Sequence, residues 1–317
     1  MDNKDKIRQA FNMIGDVLTI SELFEWARKR RQAIDPNNLC KFCIPAIDER
    51  IMWMTNNELS VIWAASSTGK TQVAINMVMW NAMRWKKVLF FMLEWDTDEI
   101  YQRYMQTQIM KELPMKPIHF SRNVDSNGNI KAKENELFEK IPKEIIENVM
   151  IYRKEKIPNI TEIVALISCL ESEIDIIVID HAQYIAYADE QSENKAVSEI
   201  MQTVKNITDN LRKPVVLFSH LRKKDNKRKY VTMEDLHWSS DLYKQANNVI
   251  LLESVSDDEW VYQRTVNDEY ITRFTITKNR AALWANKLKM YMLFDTRTQS
   301  YSREVDDEFL SNLANFK

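Results

Sequence analysis

The stretch LSVIWAASSTGKT, residues 59–71, joins an apolar run to a Gly-Lys-Thr turn, and no charge follows Lys70 until Arg84. This pattern predicts a strand over 59–64, a loop, and a helix over 71–85. It is the P-loop form GxxxxGK[ST] with Ala64 in place of the first glycine. In that form the backbone N–H groups of Ser66, Ser67, Thr68 and Gly69, with those of Lys70 and Thr71, wrap a β-phosphate at a helix N-terminus. The Lys70 ammonium reaches the β- and γ-phosphates, and the Thr71 hydroxyl holds Mg²⁺. ATP and Mg²⁺ are therefore the expected cofactors; the alternative is a chance Gly-Lys-Thr in a loop. The 317 residues contain only three glycines, Gly15, Gly69 and Gly128. A chain so poor in glycine keeps one mainly where backbone geometry demands it.

Further strands are expected at 87–93, 149–153, 174–180, 214–219, 248–253, 271–277 and 287–294. The first six of the eight strands are apolar without alternation, as in a parallel sheet covered on both faces. The last two alternate, as antiparallel edge strands do. Helical spacing lies between them at 97–112, 132–147, 160–172 and 192–211, while 121–131 reads as a turn or loop. The expected fold is α/β, a mostly parallel central sheet flanked by helices, with antiparallel edge strands near the C-terminus. Ligands in such sheets bind at the carboxyl ends of the strands. Residues 1–38 read as a helical linker or docking segment with a Thr19/Glu22 capping box. A motor domain is expected over 39–302 and a tail over 303–317.

Composition sets the outer limits. The chain is 45% hydrophobic and 28% charged, so a large core is available and global disorder is excluded. The longest charge-free run has thirteen residues, 71–83, short of the roughly 18–20 that span a bilayer. The N-terminus, MDNKDKIRQAF, lacks the apolar stretch of a secretory signal. A cytoplasmic protein without a membrane partner is expected. A net charge of −2 rules out a uniformly basic nucleic-acid coat but leaves room for a local basic groove. Cys40, Cys43 and Cys169 are three, and no second pair completes a zinc site with Cys40 and Cys43; buried thiols or a metal or redox role stay open.

A P-loop needs a carboxylate for its metal, and Asp180 ends the apolar strand Ile176–Ile179 in the Walker B manner. Hydrolysis also needs a group to orient or deprotonate water. His181, not a glutamate, follows Asp180, so the acid must come from elsewhere. Glu94 ends the strand at 87–93 and would stand over the γ-phosphate if that strand lay next to the P-loop. A surface glutamate at a helix start is the alternative.

These segments together resemble the motor domain of DnaB-like replicative helicases, whose fold is RecA-like. The resemblance rests on Met92-Leu93-Glu94, Asp180-His181-Ala182-Gln183, PVVLFS ending at Ser219-His220, EDLHWSSD, YKQANNVILL and Lys278-Asn279-Arg280, and runs from about 40 to 302. It implies that Glu94 is catalytic, that Gln183, His220 and Lys278 border the nucleotide, and that Arg280 enters a neighbouring subunit's ATP site. A homo-oligomer, a hexameric ring, follows from this, with primase or a helicase loader as further partners. The alternative for Arg280 is a strand residue pairing locally. Departures from the family pattern are Cys43 in CIPAID where the family has Gly, His220 in place of Gln, and Trp238-Ser239 in place of Glu-Ser.

Arg222, Lys223, Lys224, Lys227, Arg228 and Lys229 put six cations into eight residues directly after His220. In the resembling helicases the loops after this strand face the central channel, so these cations, with Trp238 for stacking, would bind single-stranded DNA. From composition alone such a run is more often only a solvated loop. The expected function is an ATP-dependent ring translocase on single-stranded DNA, of phage or plasmid replicative-helicase type. A RecA- or RadA-like single-strand-binding ATPase, or a nucleotide-binding assembly or loader protein, are the alternatives.

Overall fold

The computed structural model describes residues 19–32, 39–51, 54–64, 68–94, 97–112, 128–152, 158–185, 193–220, 240–254, 269–281, 287–295 and 298–306. The chain divides into two compact units, Met1–Leu39 and Cys40–Lys317. In the first, helix α1 spans Ile20–Gln32. Its capping box forms as expected: Thr19 N–H donates to Glu22 Oε2 at 2.8 Å, and Glu22 N–H donates to Thr19 Oγ1 at 3.3 Å. Ile20, Leu23 and Phe24 are exposed on it.

The second unit is built on one nine-stranded sheet in the order β3-β2-β4-β5-β1-β6-β7-β8-β9. In chain order the strands are β1 (Leu59–Ala64), β2 (Val88–Met92), β3 (Val149–Ile151), β4 (Ile176–Asp180), β5 (Val215–His220), β6 (Asn248–Ser254), β7 (Glu269–Asn279), β8 (Leu288–Asp295) and β9 (Ser300–Val305). The pairings from β3 through to β6 are parallel, and those from β6 onward are antiparallel. The helices are α2 (Pro45–Ile51), α3 (Lys70–Met83), α4 (Thr97–Glu112), α5 (Gly128–Phe138), α6 (Lys143–Asn148), α7 (Ile160–Cys169), α8 (Glu193–Leu211) and α9 (Ser240–Gln245).

The uninterrupted apolar strands bury both faces because each face carries its own core. Val88, Phe90, Met92, Ile176, Val178, Val216, Phe218, Ile62 and Ala64 belong to the core that includes Val73, Ile75 and Met77 of α3. Leu89, Phe91, Ile177, Ile179, Val215, Leu217, Val61 and Trp63 belong to the opposite core, with Ile163 and Ile167 of α7 and Met201 and Val204 of α8. The strand period of two thus sends even-numbered residues of β1, β2, β4 and β5 toward α3.

Several elements differ from expectation. The helix expected at 132–147 is two, α5 and α6, because Pro142 lacks an amide donor and starts the second. Residues 128–131, read as loop, open α5. Residues 300–305 form β9, so β8 is not an edge and the sheet runs three residues past the expected domain end at 302. The polar sequence of β9, with Ser, Arg and Glu, concealed an edge strand that needs only one apolar face. The short helices α2 and α9 carry too few turns for a periodic signal.

The entry segment is held to α3 by one amide. Asn81, fully buried, accepts from Lys41 N–H at 3.0 Å and donates to Lys41 O at 2.9 Å and Met77 O at 2.8 Å. Asp48 accepts from the N–H groups of Phe42 at 2.7 Å and Cys43 at 3.0 Å. These bonds hold Cys43 at φ 64°, a left-handed conformation that favours glycine. Asn81→Ala strands two backbone groups of Lys41 and is expected to cost about 2–4 kcal/mol in urea unfolding; a loss under about 0.5 kcal/mol would show the anchor to be dispensable.

Candidate functional site: a nucleotide site at the carboxyl ends of β1, β2, β4 and β5

Gly69 takes φ 85° as the N-cap of α3, and its carbonyl accepts the first helical bond from Val73 N–H at 3.0 Å. A Cβ built here would meet only the Tyr301 hydroxyl at 3.7 Å. The glycine is therefore required by its backbone angle and not by crowding within the chain. Lys70 and Thr71 open the helix and are buried. Thr68 is described, whereas Ser66 and Ser67 lie outside the described residues.

The parity of the strands assembles the rest. Asp180 extends the even series of β4, His220 that of β5, and Glu94 follows two residues after Met92 of β2, so all three face α3. Leu93 N–H donates to Asp180 O at 2.7 Å and locks the ends of β2 and β4 together. The Lys70 ammonium stands 2.9 Å from His220 Nε2, 3.8 Å from Asp180 Oδ1 and 3.9 Å from Glu94 Oε2. The reading of Glu94's strand as the neighbour of the P-loop strand is corrected: β4 and β5 lie between β2 and β1. Glu94 still reaches the site because Lys70 leans across those two strands.

Electrostatics follows from burial. Asp180 is fully buried, and among the described residues neither carboxylate oxygen has a hydrogen-bond partner. Burial pushes its pKa up to about 6; Lys70 and the Thr71 hydroxyl face it and pull the value back. A buried carboxylate beside a helix-N-terminal hydroxyl, with a lysine 3.8 Å away as its counter-charge, fits a divalent cation in the Mg²⁺ class. Burial pulls the Lys70 pKa down, and Asp180 and then Glu94 hold it up. His220 is lowered by burial and by Lys70.

Gln183 ties β4 to β5 from a single 3₁₀ turn, Ala182–Tyr184. Its Oε1 accepts from His220 N–H at 3.3 Å, and its Nε2 donates to Ser219 Oγ at 2.8 Å. His181 Nδ1 lies 2.8 Å from the same Oε1, and His181 Nε2 lies 3.4 Å from Glu94 Oε2. The rings of His181 and His220 meet edge to face at 4.1 Å. Burial, then Lys70, take the His181 pKa down to about 3, so the ring is neutral. The sequence reading used His181 only as the absence of a glutamate. The β2-β4-β5 order, once known, places it between Glu94 and His220. Arg103 on α4 was also missed: its guanidinium adds to the positive field at Asp180 and contacts Gln72 at 3.5 Å.

Lys278 and Arg280 are not brought to this cluster. Lys278 donates to Tyr243 O and to Lys244 O (the latter at 3.1 Å), and Arg280 donates to Lys244 O, at the C-terminus of α9. Arg280 N–H bonds Asn247 O, and Asn247 N–H bonds Leu59 O. Leu59 starts β1 and Ala64 ends it, so Arg280 sits about 17 Å of strand away from the P-loop end. Burial and then Arg280 lower the Lys278 pKa to about 8. Arg222, Lys223, Lys224, Lys227, Arg228, Lys229 and Trp238 lie outside the described residues.

Burial of the Asp180 carboxylate, only partly offset by Lys70 and Thr71, is a burden on the fold. A carboxyl raised from 3.8 to about 6 destabilises the native state above that pH, and the cost fades as pH falls through 6 toward 4. Asp180→Asn is expected to stabilise the nucleotide-free protein at pH 7.5 by on the order of 1–3 kcal/mol. In thermal unfolding the gain should shrink to nothing by about pH 4; a destabilised variant at pH 7.5 would reject the assignment of cost to this carboxylate.

Comparisons with known proteins bear on the family and the fold. A family model, the DnaB-like helicase C terminal domain, matches residues 42–302. The replicative DNA helicase DnaB of Mycoplasma pneumoniae is 23% identical over 249 residues, 74% of this chain and 51% of that protein. A probable plasmid replicative DNA helicase of Chlamydia trachomatis is 24% identical over 251 residues, 75% of this chain and 54% of that protein. The chain thus spans about half the length of these relatives. Among solved structures, one described as an ATPase domain superposes with a TM-score of 0.72 at 18% identity, covering 91% of this chain and 99% of that one. A DnaB-like replicative helicase studied with primase gives a TM-score of 0.71 at 17% identity, covering 94% of this chain and 70% of that one. With the family model matching most of its length, the chain belongs to the DnaB-like helicase C-terminal domain family.

Proposed function

We propose that this chain is the ATP-hydrolysing motor of a replicative helicase, which forms a ring and moves along single-stranded DNA. The observation that carries the reading is the convergence of Glu94 and Asp180 on Lys70, at 3.9 and 3.8 Å, at the mouth of the Gly69 turn. In this reading Thr71 and Asp180 would hold Mg²⁺, which would supply positive charge beside the transferring phosphoryl group. Lys70 turns from His220, Asp180 and Glu94 to the phosphate oxygens. Glu94 orients water and accepts its proton. His220, neutral and hydrogen-bonded through its backbone to Gln183, sits where a terminal phosphate would meet β5. The sequence directly after it carries the six cations of 222–229, which this reading assigns to DNA binding.

The place of Arg280 supports a shared site. It lies at the end of the sheet opposite Lys70, so it reaches a nucleotide only on another copy. Lys278 and Arg280 would complete that neighbour's site, as a ring requires. Primase or a loader as a partner also belongs to this proposal; a structural neighbour studied with primase supports the first.

Glu94→Gln is expected to lower DNA-stimulated ATP turnover by at least about a hundredfold while ATP and oligo-dT binding stay near wild type. Turnover retained in this variant would reject Glu94 as the base. Wild-type protein with no DNA-stimulated turnover would favour a nucleotide-binding loader, and translocation without strand separation on any forked duplex would favour a RecA-like ATPase. Lys70→Ala and Arg280→Ala are each expected to be inactive alone. Mixed, they should recover part of the activity, because some junctions then pair an intact P-loop with an intact arginine; absence of recovery in oligomers verified as mixed would count against a trans arginine.

A further inference from the structure

Two electron-pair donors face each other at the heart of the site. The His220 amide must donate to Gln183 Oε1, which fixes the orientation of that side-chain amide. His181 Nδ1, 2.8 Å from the same oxygen, therefore carries the ring proton. Its Nε2 is left as a lone pair, buried and without a hydrogen-bond partner among the described residues. It points at Glu94 Oε2, 3.4 Å away, and an ionised carboxylate has no proton to offer. His220 Nε2 stands 3.8 Å from the same oxygen with its lone pair on the Lys70 ammonium. Three donor atoms thus surround one point, with a lysine as the nearest cation.

The 3.4 Å between His181 Nε2 and Glu94 Oε2 matches a metal better than a water, and the 3.8 Å between His220 Nε2 and that oxygen lies between the two spacings. Ligand atoms at Zn–N and Zn–O bond lengths and a tetrahedral angle are separated by roughly 3.4 Å. Water donating to two acceptors holds them about 4.4 Å apart at ordinary hydrogen-bond lengths. The three side-chain donor atoms lie within 4.8 Å of one another. Two imidazoles and one carboxylate select zinc, cobalt, nickel or copper over hard Mg²⁺.

We propose that Glu94, His181 and His220 form a second cation site, for a borderline-soft divalent ion such as Zn²⁺, beside the Asp180/Thr71 position, and that the bound ion shuts off hydrolysis. The ion takes the Glu94 oxygen that must accept a proton from water. It also displaces Lys70 from His220, so it binds more tightly when phosphates hold that lysine. The inhibitory half rests on the reading of Glu94 as base; the binding half does not.

The test uses Co²⁺ with the full chain in excess Mg²⁺, with and without ADP. One equivalent is expected to give the intense visible absorption of a tetrahedral ion, without the near-ultraviolet thiolate band that Cys40, Cys43 or Cys169 would produce. Zn²⁺ should abolish the absorption, and ADP should sharpen the titration. His181→Gln and His220→Gln should each weaken binding by more than the roughly 10–100-fold that loss of an outer-shell partner costs. The partly exposed His220 tolerates its change even if the buried His181 variant misfolds. Absorption that survives both variants, carries a thiolate band, or never reaches one equivalent overturns the site. Cobalt bound as described with turnover undiminished upholds the site and sinks Glu94 as the base; no cobalt bound with Glu94→Gln inactive sinks the site alone.

Discussion

Lys70 is a buried ammonium shared among Asp180, Glu94 and His220, and the surrounding structure depends on that sharing. Two carboxylates beside each other without a cation would repel, and one of them is fully desolvated. The lysine is held in place by covalent geometry: it is the first residue of α3, and the left-handed turn at Gly69 aims the helix over the sheet. The field at the site is thus organised by the chain's own charges. This is electrostatic preorganisation, in which charge is arranged before the reacting group arrives. The cost falls on stability, in the desolvation of the Asp180 carboxylate.

Parity is the device that makes the arrangement reproducible. Strands β2, β4 and β5 begin in different parts of the sequence, yet Glu94, Asp180 and His220 all lie on the face that meets α3. A one-residue slip in any pairing would turn one of them into the core packed on α7 and α8. The Leu93–Asp180 backbone bond and the Gln183 side chain pin two of those registers at the point of use. The neutral imidazoles fit this design, since burial next to an ammonium disfavours a second positive charge.

The parallel part of the sheet was legible because buried strands read as continuous apolar runs. So were the P-loop and the two acids, which end such runs. Strand order was not legible: the sequence places β1 and β2 one helix apart, while β4 and β5 insert between them in space. The expectation about Glu94's strand failed there although the residue itself reached the site. Strand β9 and the short helices escaped because one half-buried face or one turn carries no periodicity. His181 escaped for a different reason. A lone histidine after an aspartate has no motif, and its meaning comes from Glu94 and Gln183, which lie 87 residues upstream and two residues downstream.

The separation of Lys70 and Arg280 to opposite ends of one sheet has a consequence for counting. If arginine from one copy completes the pocket of the next, the contact is head-to-tail, and no pair of molecules satisfies both ends at once. An open row then always wastes one pocket and one arginine at its termini, whatever its length. Only closure gives every subunit a whole catalytic centre, and a row whose rotation fails to close grows instead into a filament.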